Sequence, residues 1–541
     1  MPGGPLSGCG TAQAAAGYFT APVLGRGERL RLSLAGTAAA SLAANAFSYF
    51  NFIPQHDALI EGFWQNTDWV IALGRFLLPG YRALVGNIPM PWTAGMLSML
   101  YLALAVYCIT DTLAMGTRAE ILFTGGFLAA NLSVLTINAL FQFVLDAYLC
   151  AFFLACAGVW LLSDAAGPGR IAGAAACFFL SVGIYPAMIT GALCLFLLRA
   201  LRQAAEENAL TPALWKKLGC WVLALGLAAG LYLLCSRLAL SLRGIAGADK
   251  DTSVFSLGDK KLRDILYGMG INIYFFAGIL FLGVSPVHGT KYLGPWYGAA
   301  ASALAVICVV SFCRRNRGKL RGRIFGLFFL GAAVFPVLAR LVNIMAESGT
   351  AHHTAYAQFL AYPALLWAFF FSRKKGEAGE DPAPAQGPGK LSAAAVIALS
   401  LIIVLANVRF SNEAYTLQKV LYDRAAYHTG QVAEDLLEAG YDPDEGDLIV
   451  VGGTFSLGGE LSGKLDRISQ TGMFGFYDTS VTYHTTFRSM ARLLGVRVNM
   501  TTVDATADPE ALGAAMAQMP AYPKEGYLQK SSDGLFIIKL S

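Results

Sequence analysis

The stretch INIYFFAGILFLGV, residues 271–284, decides how this chain is threaded through a membrane. The sequence around it is that of a polytopic membrane protein. Of 541 residues, 56% are hydrophobic and 14% charged, where a soluble domain carries about 25% charged residues. Runs of about 20 apolar residues cross a bilayer as helices. About 11 are expected here, near 31–50, 92–112, 120–138, 143–162, 170–185, 187–201, 218–240, 293–313, 324–342, 355–372 and 391–408. Lys and Arg mark cytoplasmic ends. Arg26, Arg29 and Arg31 precede the first span. Alternation then puts Arg118, Arg170, Arg199, Arg202, Lys216, Lys217, the run RRNRGKLRGR (Arg314–Arg323) and Arg373-Lys374-Lys375 on that same side. A single crossing by 271–284 would turn Arg314–Arg323 outward. The stretch therefore reads as a re-entrant or interfacial helix inside a long external loop, 241–292, an arrangement tolerated where protein or a cavity covers it.

The first span has an Arg-rich start and the small-residue stretch TAAASLAANA, features shared with a cleaved secretory signal. Its apolar run is longer than the usual signal core, and an uncleaved anchor is expected. The domain reading is a cytoplasmic segment 1–30, a membrane domain 31–408 with external loops 51–91 and 241–292, and an external α/β domain 409–541. In that last domain SNEAYTLQKVLYDRAAYHTGQVAEDLLEAG reads as an amphipathic helix, DLIVVGG and VRVNMTTV as strands, and RSMARLLG and DPEALGAAMAQM as helices. GYLQKSSDGLFIIKLS reads as a hairpin about Ser532-Asp533-Gly534. VGGTFSLGG lacks the spacing of a nucleotide-binding loop, and KKGEAGEDPAPAQGPGK (374–390) reads as a flexible linker. The net charge of +5 sits in loop clusters and records topology, so no nucleic-acid partner is expected. The ten cysteines lie almost all in apolar spans with no metal-type spacing and read as small apolar residues.

In this topology Asp111 and Asp164 face the cytoplasm. All six histidines (His56, His288, His352, His353, His428 and His484) fall on the external side. So does the acidic loop SYFNFIPQHDALIEGFWQNTDW, Ser48–Trp69, with His56, Asp57, Glu61 and Asp68. A carboxylate there can take the proton of a hydroxyl that attacks an activated carbon; alternatively Asp57 caps the loop helix ALIEGFWQ. Glu61, four residues on, shares a helix face with Asp57 and either shares a proton or cation with it or is solvated. Asp68, between the interfacial anchors Trp64 and Trp69, is a second candidate base or a second cap. Arg75 in LGRFLLPGYR suits bidentate phosphate contact or a lipid headgroup; Arg237, Arg243 and Lys291 are further external cations. Asp146 in FQFVLDAYL and Arg340 in FPVLARLVN stand near the outer ends of spans, where charges are paired or functional. They are expected to face one external cavity or to pair with each other. His352-His353 in ESGTAHHTAY either contact phosphate or sugar or are solvated, with no further metal ligand identifiable.

These residues lie in motifs that resemble those of the Gtr-type membrane glucosyltransferases, which include the serotype-converting O-antigen enzymes, within the GT-C superfamily. The resemblance is carried by HDALIEG (56–62), LGRFLLPGYRALVGNIPMPWTAGMLSML (73–100), LTINALFQFVLDAYLCAFFLA (135–155), FFLSVGIYPAMITGALCLFLL (178–198), AHHTAY (351–356) and YPKEGYLQKSSDGLFIIKLS (522–541). It implies a GT-C-like catalytic domain over 31–408 in a bacterial cell membrane. That domain would transfer glucose from a polyprenyl-phosphate donor to a cell-surface glycan on the external face; no cofactor is expected, and a monophosphate donor leaves little need for a metal, whose involvement stays open. It implies a catalytic role for Asp57 or Asp68, the family's first-loop acid; the reading of the residues above adds His56, Glu61, Arg75, Asp146, Arg340, His352 and His353 as substrate-binding candidates. The chain departs from the family where an adjacent acidic pair, as in DDW, is replaced by Thr67-Asp68-Trp69, which leaves the choice between the two acids open.

The competing reading is a transporter or flippase of lipid-linked sugars. Transporters carry inverted repeats and broken or charged helices at the bilayer midplane. No internal repeat is visible, and the ionisable residues gather at the outer ends of the spans. A membrane-anchored binding protein would leave the spans without a purpose.

Overall fold

The computed structural model describes residues 17–23, 25–54, 57–61, 63, 66–164, 167–247, 261–284, 293–345, 352–372, 389–453, 455, 480–506, 508–531 and 534–541. His56, Trp64, His288, Lys291, the linker 374–388 and most of VGGTFSLGG lie outside them. Among the described residues nine helices are long and apolar enough to cross a membrane, and two shorter apolar helices, Pro168–Ile184 and Tyr356–Phe370, fill the gaps between them. Every expected span is helical.

By contacts the chain forms two units. The first holds residues 1–50, 66–137 and 144–412, and the second 51–65, 138–143 and 413–541. The beginning of the loop 51–91, expected on the external side, thus groups with the C-terminal region.

In the first unit the helix Arg26–Phe50 is not among the nine apolar helices. Its buried residues are Ser33, Thr37, Ala40, Ser41, Ala44, Asn45, Ser48 and Tyr49, while Leu34, Leu42 and Phe50 are exposed. That is the pattern of a helix packed in lipid, where small and polar residues form the helix–helix seam. The seam is tight. A Cβ on Gly125 would lie 2.8 Å from the Thr37 backbone nitrogen, and one on Gly36 3.1 Å from the Leu122 Cα. The helix Pro212–Arg243 shows the other face of this rule, leaving Val222, Leu227, Leu234 and Leu238 exposed.

The stretch 271–284 belongs to a helix Leu262–Ala277 that continues as a π-helical turn, Gly278–Leu282. It is long and apolar enough to cross, but its contacts lie at one end of its neighbours. Asn272 accepts from Arg340, just past the helix Gly322–Ala339. The carbonyls of Leu280 and Phe281 accept from Tyr362 at 2.7 Å and Ser302 at 3.0 Å. At the other end of the bundle, Asn208 accepts from the Arg321 amide at 2.8 Å and donates to the Lys319 carbonyl at 3.2 Å. Among the described residues three helices long enough to cross separate Asn208 from Lys319, and a chain returns to the same end only after an even number of crossings.

The expected span 391–408 and the amphipathic helix after Arg409 are one continuous helix, Lys390–Glu438. The rest of the second unit holds a small sheet. Three strands, β1 (Leu448–Gly452), β2 (Leu528–Lys530) and β3 (Leu535–Lys539), form a sheet in the order β1-β3-β2. β1 and β3 pair in parallel, and β2 and β3 form the expected hairpin. VRVNMTTV is not a full strand. It meets β1 through a single bridge, Ile449 with Met500, because only Asn499 O and the Thr501 amide reach Ile449. Val450 and Ile537 of the sheet pack on Leu512 and Met516 of the helix Pro509–Gln518.

Candidate active site

The backbone ahead of Asp57 is held on both sides. The Ile53 amide donates to Gln142 Oε1 at 3.3 Å, and Gln142 Nε2 donates to the Asn51 carbonyl at 3.0 Å. Gln418 Nε2 donates to the Ile53 carbonyl at 3.2 Å and to the Ala139 carbonyl at 3.0 Å. Both glutamines are almost wholly buried. Buried amides that satisfy irregular backbone fix its course, because each unmade bond would cost about 1–3 kcal/mol. Asp57 then opens a short helix, Asp57–Glu61, which packs against the helix Ser480–Leu493 of the same unit. The expected ALIEGFWQ helix stops at Glu61. Asp57 is half-buried. Neither Gln142 nor Gln418 was singled out from the sequence; the only signal is a neutral polar residue within an apolar or amphipathic run.

Asp68 is not a cap. The helix Thr67–Ala72 is capped by Asn66, whose side chain accepts from the Trp69 amide at 3.0 Å. Asp68 sits in the first turn, exposed, with Arg243 at 3.5 Å. Such an exposed pair contributes about 0–1 kcal/mol.

The second half of the loop docks on the start of the helix Leu145–Leu161. Arg75 Nη1 donates to the Tyr148 hydroxyl at 3.0 Å. Its guanidinium carbon lies 4.8 Å from the centre of the Tyr185 ring, and the Tyr148 and Tyr185 rings stack 3.7 Å apart. A cation over a ring is held by about 0.5–2 kcal/mol. One turn on, the Tyr81 hydroxyl donates to Asp146 Oδ2 at 2.8 Å. Burial and then the Asp146 charge raise the Tyr81 phenol well above its ordinary value, so it stays protonated as a donor. Arg82, 3% exposed, bonds the Asn87 carbonyl at 3.0 Å and feels the Asp146 charge.

Asp146 and Arg340 do not pair. Asp146 is served by Tyr81, whereas Arg340, wholly buried, donates to Asn272 and Gln358. His352 lies close to Arg340. Its carbonyl accepts from Ser133 Oγ at 2.6 Å, and burial, then the charges of Arg340 and His353, push its pKa down to about 3. The two histidines differ in burial: His352 is buried, so the pair is not solvated as a whole, and His353 is half-exposed. Among the described residues no group of three or more His, Cys, Asp or Glu side chains could hold a metal ion. The structure thus brings Arg75 and Asp146 onto one helix start and Arg340 beside His352. Asp57 shares a helix with Glu61, whose side chain lies outside the described set.

At the opposite helix ends the charges are spent on one another. Arg29 pairs with Asp111, which also accepts from Trp160 Nε1 at 2.9 Å. Arg118 pairs with Glu28 at 2.9 Å.

No curated protein and no solved structure matches the chain. The family described as Glucosyl transferase GtrII matches residues 46–371, more than half of the chain and the part that contains every candidate named above. The C-terminal motif 522–541 lies outside that match. With apolar helices throughout and a family profile running from the first loop to the His352-His353 turn, the chain belongs to the GtrII glucosyltransferase family.

Proposed function

We propose that this protein moves a glucosyl unit from a polyprenyl-phosphate donor to a cell-surface glycan on the external face of a bacterial cell membrane, with Asp57 as general base. The family match over residues 46–371 carries the reading. In the step, the Asp57 carboxylate takes the proton of an acceptor hydroxyl as its oxygen attacks the anomeric carbon. The bond from that carbon to the phosphate oxygen breaks, and the electron pair leaves on polyprenyl phosphate, with inversion at carbon. The leaving phosphate needs no second acid. Asp57 is preferred to Asp68 on two observations: its approach is fixed by Gln142 and Gln418, whereas Asp68 is exposed beside Arg243. Arg75, seated on two tyrosines, is the cation for a phosphate or headgroup oxygen.

The test is sugar transfer in proteoliposomes holding labelled polyprenyl-phosphate-glucose and cell-envelope glycan. Asp57→Asn should lower the rate about 10²- to 10⁴-fold in protein that still inserts, and Asp68→Asn should lower it far less. Full rate with Asp57→Asn moves the base elsewhere. Donor that crosses between leaflets without being consumed by wild type replaces the enzyme with a flippase.

A further inference from the structure

Arg340 is wholly buried and held by two neutral amides. Nε donates to Asn272 Oδ1 at 2.8 Å and Nη1 to Gln358 Oε1 at 2.9 Å. Its guanidinium carbon stands 5.3 Å from the centre of the Phe275 ring. The Gln358 contact fixes the orientation of that amide, since a guanidinium offers no acceptor to an NH2 group. Gln358 Nε2 therefore faces elsewhere, buried and without a hydrogen-bond partner. His352 Nδ1 is in the same state. Gln358 is 0% and His352 4% exposed, and the His352 ring is near enough to feel the Arg340 charge. A buried polar nitrogen left unmet costs about 1–3 kcal/mol, and native proteins carry few of them without a reason.

With its proton on Nδ1, the neutral His352 ring joins the Gln358 NH2 and the Arg340 guanidinium as a donor, and the three share one fitting partner, an oxyanion with several lone pairs. We infer that Arg340, Gln358 and His352 form a binding subsite for a phosphate group, with Asn272 and Phe275 setting the angle of the guanidinium. The inference rests on the reading of the donor as phosphate-linked, but its test requires no sugar transfer.

The full chain in nanodiscs is titrated with polyprenyl monophosphate in one arm and inorganic phosphate in another. Binding and the unfolding midpoint are followed for wild type, Gln358→Glu and His352→Leu. In Gln358→Glu a carboxylate still accepts from Arg340 but replaces the free donor with a negative oxygen, so affinity should fall at least tenfold. His352→Leu, which keeps apolar bulk and removes Nδ1, should bind at least threefold more weakly and covers the case that the first variant misfolds. Binding of the lipid alone identifies a lipid-linked phosphate, binding of both a free phosphate; either upholds the subsite. Phosphate binding by a protein that transfers no sugar also upholds it, while the transferase reading falls. Binding of neither probe, or equal affinity in wild type and a folded variant, overturns it.

Discussion

His352 is the residue through which stability should follow pH. Held near a pKa of about 3, it stays neutral in the folded protein, while in the unfolded chain it titrates near its ordinary value of about 6.5. Between those values the unfolded state binds the extra proton, so stability is full above about pH 6.5 and declines as pH falls toward 3, by at most about 1.4 kcal/mol per pH unit. Thermal unfolding in detergent from pH 7 to 5 should show a shallower slope in His352→Gln than in wild type; equal slopes would mean that the ring is solvated. The sequence placed the adjacent histidines and Arg340 in the neighbourhood of a site, because charge inside an apolar chain is conspicuous. It did not separate the buried His352 from its half-exposed neighbour, nor find Gln142, Gln358 or Gln418. A neutral amide carries no signal of its own: its importance comes from the backbone or guanidinium it meets, and those partners lie 18 to 365 residues away along the chain.

At the scale of the element, hydropathy found every expected span but did not show what holds the first of them. SLAGTAAASLAANAF, the part of Arg26–Phe50 that resembles a signal peptide, buries its small and polar positions and turns its leucines outward. Lipid tails match leucine, so close backbone approach makes the contact. Gly125→Leu should therefore act as an overpacking mutation against the Thr37 backbone, costing about 1–3 kcal/mol or more, read as a lower unfolding midpoint and yield. Gly219→Leu, in the helix Pro212–Arg243 with nothing within 4 Å of its Cβ position, should leave both unchanged. A neutral Gly125→Leu would mean that the first helix is not seated as described. The continuous helix Lys390–Glu438 was missed for a simpler reason: the sequence changes from apolar to amphipathic near residue 409, and composition marks a change of surroundings without marking a change of backbone.

At the scale of the whole molecule, everything proposed about sidedness hangs on the helix Leu262–Leu282. Length and hydropathy alone would make it a crossing, which would put the Arg314–Arg323 run opposite the other basic clusters. Its hydrogen bonds argue otherwise. Asn272 meets Arg340, and Leu280 and Phe281 meet residues at the beginnings of Pro295–Asn316 and Ala361–Phe370. His352, in the turn before Tyr356, is tied to Ser133 in the second half of the helical run Arg118–Leu140, and Tyr356 to Leu128 near its middle. If that run ends outside, as the basic residues at its beginning require, then Arg340, His352 and the Asn272–Phe281 part of Leu262–Leu282 belong outside with it. The charge pattern and the hydrogen bonds are independent, and both support the proposal of an even number of crossings between Asn208 and Lys319. Single cysteines at Gly247, Pro295 and Arg317, reacted in sealed vesicles with a membrane-impermeant maleimide, check this directly. Positions 247 and 295 should label from the outer side and position 317 only after the membrane is opened. Labelling of 247 and 295 from opposite sides would make the helix a crossing and move the C-terminal region to the cytoplasm, away from any acceptor on the cell surface.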